Sequence, residues 1–364
     1  MTYTMKQYDM QDNLTRRQVF WLLQRLTSYA LWKKKRDAFA IFADEYEIAV
    51  KTWPEGDPEY MPADNLSTIY EILGLYDKGL EQLARGYRFI WKDGQPLKLA
   101  VNRYYHLCQY FFPHPSYWER GAQLAPYPTK VDRLARLMRA SEFQMEQAPF
   151  EVAASNDNFA QLQSATLLLD PDRYKYQFYE LDYPVFPPSL PEIPASLGPV
   201  VESGDEVTAD GIWEPVKISR GKVLGLLSVG EKTEENNGCF NYLVKGTHAP
   251  NIKGRPDPLT LRSAVTSTHW RLLWEDTRYK DGVIADESQY FLAAKREDAP
   301  AELADVPDVK TGDMCPVSGV WRAEKYADSS IHIVAGAVMP DLMVTDNLGE
   351  RKVHWVTWHL VKRT

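Results

Sequence analysis

The sequence predicts an α+β chain: an N-terminal all-α helical bundle followed by a C-terminal all-β region made of two repeated small β modules. Three observations predict it. Apolar residues recur at helical spacing from residue 13 to about residue 170; prolines 184, 187, 188, 191, 194 and 199 crowd one short segment; and two later stretches are nearly the same, letter for letter. These are Ser203-Gly204-Asp205-Glu206-Val207-Thr208-Ala209-Asp210-Gly211-Ile212-Trp213 and Thr311-Gly312-Asp313-Met314-Cys315-Pro316-Val317-Ser318-Gly319-Val320-Trp321.

In chain order, Thr15-Arg16-Arg17-Gln18 fits a capping box, and Val19, Leu22, Leu23, Leu26 and Ala30 follow on one helical face. This first helix is expected to reach about Trp53, where Trp53-Pro54-Glu55-Gly56 breaks it, with a joint at Thr27 to Tyr29. A second helix starts near Asp64 or Ser67, buries Leu66, Ile69, Tyr70, Leu73, Tyr76, Leu80 and Leu83, and stops before Gly86. A third runs from Pro96 to Phe112, a fourth opens at Thr129, and a fifth covers Asn158 to Leu169. The compact basic run Lys33-Lys34-Lys35-Arg36 spreads around most of a helical turn and reads as a solvated face.

The proline-rich stretch suits neither a helix nor a central strand, so it is a stiff linker between the regions. Beyond it, Val216 to Ile218, Lys222 to Leu224, Tyr242 to Val244, Ile331 to Val334 and Val353 to Leu360 are short and rich in β-branched and aromatic residues. The expected divisions are 1–182 (helical), 183–200 (linker), 201–280 (first β repeat), 281–310 (acidic inter-repeat segment) and 311–364 (second β repeat). Whether the repeats pack as separate modules or as one sheet stays open.

The likeness continues downstream. Phe240 to Gly246 with Pro250 matches Ile331 to Gly336 with Pro340, and both copies reach a His-Trp pair, His269-Trp270 and His354-Trp355. Trp213, Trp321, Trp270 and Trp355 are therefore expected to pack inside the modules. Trp213 to Gly246 spans 33 positions against 15 from Trp321 to Gly336, so the first copy carries 18 more residues, including Glu231, Glu234, Glu235, Asn236 and Asn237. Repeats place such insertions in exposed loops, often on a binding face.

The formal net charge is −8, and it is unevenly placed. Residues 1–180 hold 22 Lys+Arg and 23 Asp+Glu, whereas Asp281 to Asp308 alone holds eight acids against Lys295 and Arg296. Such a surface repels nucleic acid and steers basic partners. The start of the chain has no basic flank or apolar core of a secretory signal, no apolar run approaches a membrane span, and Cys108, Cys239 and Cys315 are scattered. A cytoplasmic protein with neither membrane nor nucleic-acid partners is expected.

No zinc-site spacing, phosphate loop or nucleophile elbow occurs. No cofactor, metal or catalytic set is expected, and the chain is read as a non-enzyme.

The run Arg16-Arg17-Gln18-Val19-Phe20-Trp21-Leu22-Leu23 with Thr27-Ser28-Tyr29-Ala30-Leu31-Trp32 resembles the start of bacterial immunity proteins of polymorphic toxin systems, families seventy-one and seventy-two. Cys315 to Trp321 with Val353 to Trp358 is similar to the C-terminal part of such proteins. The resemblance implies an immunity protein that neutralises a cognate toxin, delivered by type VI secretion or of Rhs type, through tight stoichiometric binding in the cytoplasm. An acidic protein implies a toxin with a basic surface. The expected contacts are Glu231, Glu234, Glu235, Asn236, Asn237, Asp286, Glu287, Glu297, Asp298, Glu302, Asp305 and Asp308. One alternative is a carbohydrate or cell-wall binding protein using the paired Trp residues as exposed platforms. Another is an enzyme with a site assembled in three dimensions around Cys315, His269 and His354.

Overall fold

The computed structural model describes residues 8–52, 62–108, 129–142, 159–175, 181–195, 198–220, 232–256, 263–292, 303, 306–326, 329–345, 349 and 351–364. Helix α1 (Asn13–Leu26) is capped one turn earlier than its sequence suggests. The Asp12 carboxylate accepts the Thr15 amide and hydroxyl, both at 2.8 Å, so Thr15 is a first-turn residue and the cap is aspartate. The joint forms where expected. Thr27 Oγ1 donates to the Leu23 carbonyl (2.8 Å), which also keeps the Thr27 amide, and Ser28 Oγ donates to the carbonyl of Arg25 (2.6 Å), which loses its helical partner as the chain turns into α2 (Tyr29–Thr52).

Helix α3 (Asn65–Leu83) stops at Gly86, whose φ of 80° is the left-handed conformation glycine takes most easily. Helix α4 (Pro96–Cys108) follows; residues 109–112 of its expected span lie outside the described residues. Helix α5 is Thr129–Arg139 and α6 is only Thr166–Leu169. The longer helix expected over Asn158 to Leu169 does not form, and Asn158 lies outside the described residues. Its backbone is committed elsewhere: the Ala160 amide donates to the Asn251 carbonyl (2.7 Å), and the Asn241 side chain clasps the amide and carbonyl of Leu162 at 3.1 and 3.2 Å.

Phe39, Phe42 and Tyr46 of α2 stack with Tyr76 of α3 and Tyr104 of α4 to form the helical core. Lys35, assigned to a solvated face, is instead buried, with its ammonium 3.2 Å from the Glu142 carbonyl and over the Trp32 ring. Its long stem lies among apolar neighbours while the charged head finds a carbonyl and an aromatic face.

The β region holds two separate modules. In the first, β1 (Val200–Glu202), β7 (His269–Glu275), β2 (Gly211–Arg220) and β3 (Lys232–Asn236) lie in that order, all antiparallel, and β4 (Asn241–Leu243) also pairs with β2. In the second, the order is β10 (Ser330–Ile333), β9 (Gly319–Ala323), β13 (Thr357–Arg363) and β8 (Val309–Lys310). Each module adds a two-stranded hairpin, β5 (Ile252–Pro256) with β6 (Ser263–Thr266), and β11 (Leu342–Thr345) with β12 (Arg351–His354). The additional residues of the first copy lengthen β2 and supply β3; 221–231, which include the expected strand Lys222 to Leu224, lie outside the described residues.

The duplication holds hydrogen bond for hydrogen bond. The Gly204 and Gly312 amides donate to Ala249 and Met339 carbonyls, both at 2.8 Å. Trp213 Nε1 and Trp321 Nε1 donate to the carbonyls of Ala209 and Val317, both at 3.2 Å. Trp270 Nε1 donates to the Pro250 carbonyl (2.7 Å), and the residue that repeats this is Trp358, on Pro340 (3.0 Å).

This corrects the expected register of the second copy. Trp355 is not the counterpart of Trp270, and His354 does not match His269, whose place is taken by Thr357. Trp358 is fully buried in the module, whereas Trp355 is half-buried, packs against the helical core and lies under the Arg136 guanidinium of α5 (5.6 Å).

The two modules meet the helices differently. Ile212, Phe240, Tyr242, Val244 and Leu273 of the first are continuous with the helical core, so one core spans α1 to α4 and the outer face of this sheet. The proline-rich segment is laid along α1, with Arg17 Nε donating to the Pro191 carbonyl (3.1 Å) and Phe186 stacked on Trp21 (5.3 Å). The second module keeps its own core of Leu303, Val306, Trp321, Met339, Trp358 and Leu360. It meets α5 through its turn end, where Arg136 lies against Gly312 and 3.6 Å from Asp341.

Candidate functional site

Two buried carboxylates fix the seam between α1 and the first module. Glu214 of β2 is 1% exposed and is held by Arg16 of α1 (2.7 Å), Arg271 of β7 (2.5 Å) and the Asn236 amide (2.8 Å). Burial pushes its pKa up, but the two guanidiniums and the amide outweigh burial and hold it below the usual carboxylate value. Asp276 is 0% exposed and receives Arg278 (2.8 Å), Arg88 (3.1 Å) and the Tyr242 hydroxyl (2.8 Å). There too burial raises and the arginines and hydroxyl lower, with a net depression.

Apart from Glu287, the expected contact residues separate into three groups. Glu234 pairs with Arg271 (3.1 Å), Asn236 serves Glu214, and Asn237 Nδ2 donates to Thr268 Oγ1 (3.0 Å). These three brace the β2–β3 hairpin rather than stand free in a loop. Glu235, across the strand from Lys217, is exposed, as are Asp286 and Asp308. Glu231, Glu297, Asp298, Glu302 and Asp305 lie outside the described residues.

Glu287 corrects its own assignment. It is buried at 6% exposure, where its carboxylate accepts the Ala30 amide at the start of α2 (2.8 Å) and the Tyr279 hydroxyl. The Tyr279 hydroxyl in turn accepts the Tyr29 amide (2.8 Å), so the acidic segment supplies the missing cap of α2 from a distance in sequence. Glu287→Ala would leave those donors without partners and is expected to destabilise the protein by about 1–3 kcal/mol, read as a lower midpoint in urea unfolding.

Trp213, Trp270 and Trp321 are each 0% exposed with their indole N–H groups bonded internally. The sugar-platform alternative required these rings at the surface, and their burial removes it. His269 lies in β7 of the first module, Cys315 is buried in the second with its Sγ 3.1 Å from the Val317 carbonyl, and His354 is on β12 against Tyr326. The fold thus distributes these three over two modules. Among the described residues no group of three or more His, Cys, Asp or Glu is placed to hold a metal, and no helix is long and apolar enough to cross a membrane.

The chain thus has a helical region and a β module fused through one core, which is where known families align. Two immunity-protein families match this chain. Residues 10–112, covering α1 to α4, match the family described as Immunity protein 71, and residues 194–292, covering the first module with Asp276 and Glu287, match Immunity protein 72. Comparison with curated proteins and with solved structures returns no match.

The helical run from Arg16 that carries the N-terminal resemblance falls inside the first matched stretch. The elements Cys315 to Trp321 and Val353 to Trp358 fall outside both stretches, so the second module is additional to the matched regions. The matches point to toxin neutralisation through binding of a cognate toxin.

Sequence reading missed Glu214, Asp276, Arg88 and Arg278. Each is an ordinary charged residue in a strand or turn, and nothing local marks it as buried. The repeat did carry one signal: the offset that aligns Trp213 with Trp321 sets Glu214 against Arg322.

Proposed function

We propose that this protein neutralises a toxin by tight, stoichiometric binding that covers the toxin's active site or substrate groove. The observation that carries the reading is that two immunity-protein families account for the helical region and the first module, which share one continuous core. We place its action in the cytoplasm of the cell that makes it, against an effector of type VI or Rhs type, with no chemistry of its own. The exposed acids Glu235, Asp286 and Asp308, with neighbouring acids of the inter-repeat segment, are the proposed contacts for a basic toxin surface.

Co-expression with the toxin domain encoded beside its gene is expected to restore growth and to give a complex that co-purifies. Reversing Glu235, Asp286 and Asp308 together to lysine is expected to lower affinity about tenfold or more, and most at low salt, while the fold is retained because all three stand at the surface and Asp286 gives up only local bonds to the Ser288 amide and hydroxyl (2.9 and 3.0 Å). Unchanged affinity would remove these residues from the interface.

A further inference from the structure

The duplication poses a question that the first module answers. On its outer face, Ile212, Phe240, Tyr242, Val244 and Leu273 are covered by the helical core, with α1 supplying Arg16 to Glu214 and to the Phe240 ring (4.8 Å). The same face of the second module is defined by equal strand pairing. Ile212 pairs with Tyr242 and Trp274, and Val320 with His332 and Lys362, with the same bulge falling at Leu273 and Val361.

Among the described residues no helix packs on that second face. Val334 is 60% exposed where its counterpart Val244 is 1% exposed, and His332 and Lys362 are exposed where Tyr242 is buried and Trp274 packs on the core. Val320 and Val361 are only partly covered and lie outside the module's own core. The charge at the seam is also reversed: Arg322 stands in the place of Glu214. No carboxylate lies within 4.0 Å of Arg322 among the described residues, and its Nε has no acceptor.

We propose that this face, Val320, Val334 and Val361 flanked by Arg322 and Lys362, seats an α-helix of the bound toxin. That helix is apolar along one stripe and carries a carboxylate where α1 carries Arg16. The proposal rests on the toxin-binding reading above and adds a contact opposite in polarity to the acidic one. A second copy of this chain is a poor occupant, because its α1 would bring Arg16 against Arg322 and is already buried in its own core. Three β-branched residues on one sheet face give the apolar contact, and an arginine fork gives the docked helix its register.

The test uses the purified full chain and the toxin domain encoded beside its gene. Val334→Asp and Arg322→Glu are each expected to weaken the complex by more than roughly thirtyfold. Arg322→Lys should retain most of the affinity, and thermal unfolding should be unchanged in all three. In the unsubstituted protein, toxin binding should slow amide exchange at 320–322, 332–334 and 359–362, a readout independent of how the variants fold. Wild-type affinity in Val334→Asp and Arg322→Glu, or no added protection at those segments, overturns the proposal while leaving toxin binding intact. A free chain that dimerises and is made monomeric by Arg322→Glu overturns it in favour of a second copy. Failure of the unsubstituted chain to bind the toxin overturns both readings.

Discussion

Trp358→Ala is expected to destabilise the second module by about 3–5 kcal/mol, whereas Trp355→Ala should cost about 1 kcal/mol. Trp358 is 0% exposed at the centre of a small core, and its indole N–H satisfies the Pro340 carbonyl. Removing it opens a cavity that the rigid strand pairing with Ala323 and Val309 cannot close. Trp355 is half-buried between the helical core and Arg136, so its loss loosens the module's attachment and leaves the module's interior filled. Urea unfolding followed by fluorescence distinguishes the two: Trp358→Ala should unfold the second module in a separate early transition. Equal effects at both positions would contradict the structural equivalence of Trp358 with Trp270.

Asp276→Ala should be comparably damaging, by about 3–5 kcal/mol, because it leaves the buried Arg88 and the partly buried Arg278 without their shared carboxylate. The same site sets a pH dependence. Asp276 and Glu214 both titrate below their ordinary values in the folded protein, so the unfolded chain binds their protons more readily. Their contribution to stability is therefore complete above the unfolded carboxylate pKa of about 4 and is lost as pH falls through their lower folded values. A urea series from neutral pH downward should show a steep acid loss in the wild type and a shallower one in Asp276→Ala. An equally steep loss in the variant would remove Asp276 as its source.

Much of this fold was legible because local chemistry and global packing agree. The joint at Thr27 to Tyr29, the stop at Gly86 and the paired Trp-bearing modules all follow from residues acting on near neighbours. The departures arise where a competing partner, near or far in sequence, wins. Asp12 outcompetes Thr15 as the cap because its carboxylate reaches an amide and a hydroxyl together. The expected fifth helix yields its first turns to Asn241 and Asn251.

The misplaced Trp355 has a different cause. The adjacent His-Trp pairs are a coincidence of spelling, whereas Trp270-Arg271-Leu272 and Trp358-His359-Leu360 share the Trp-x-Leu spacing that strand alternation requires. Of the expected contact residues, Glu235, Asp286 and Asp308 stand at the surface, and Glu287 lies inside because Ala30 needs an acceptor where α2 begins. Acidity alone does not separate a solvated carboxylate from a capping one.

The proposed one-to-one neutralisation is tested most directly by a titration in which the toxin domain's activity is followed as this purified protein is added at concentrations well above the dissociation constant. Activity falling linearly to zero at one equivalent, with the complex stable to gel filtration, is the predicted result. Growth protection by the protein without any stoichiometric loss of toxin activity would contradict it, because the protein would then be undoing the damage rather than occupying the toxin.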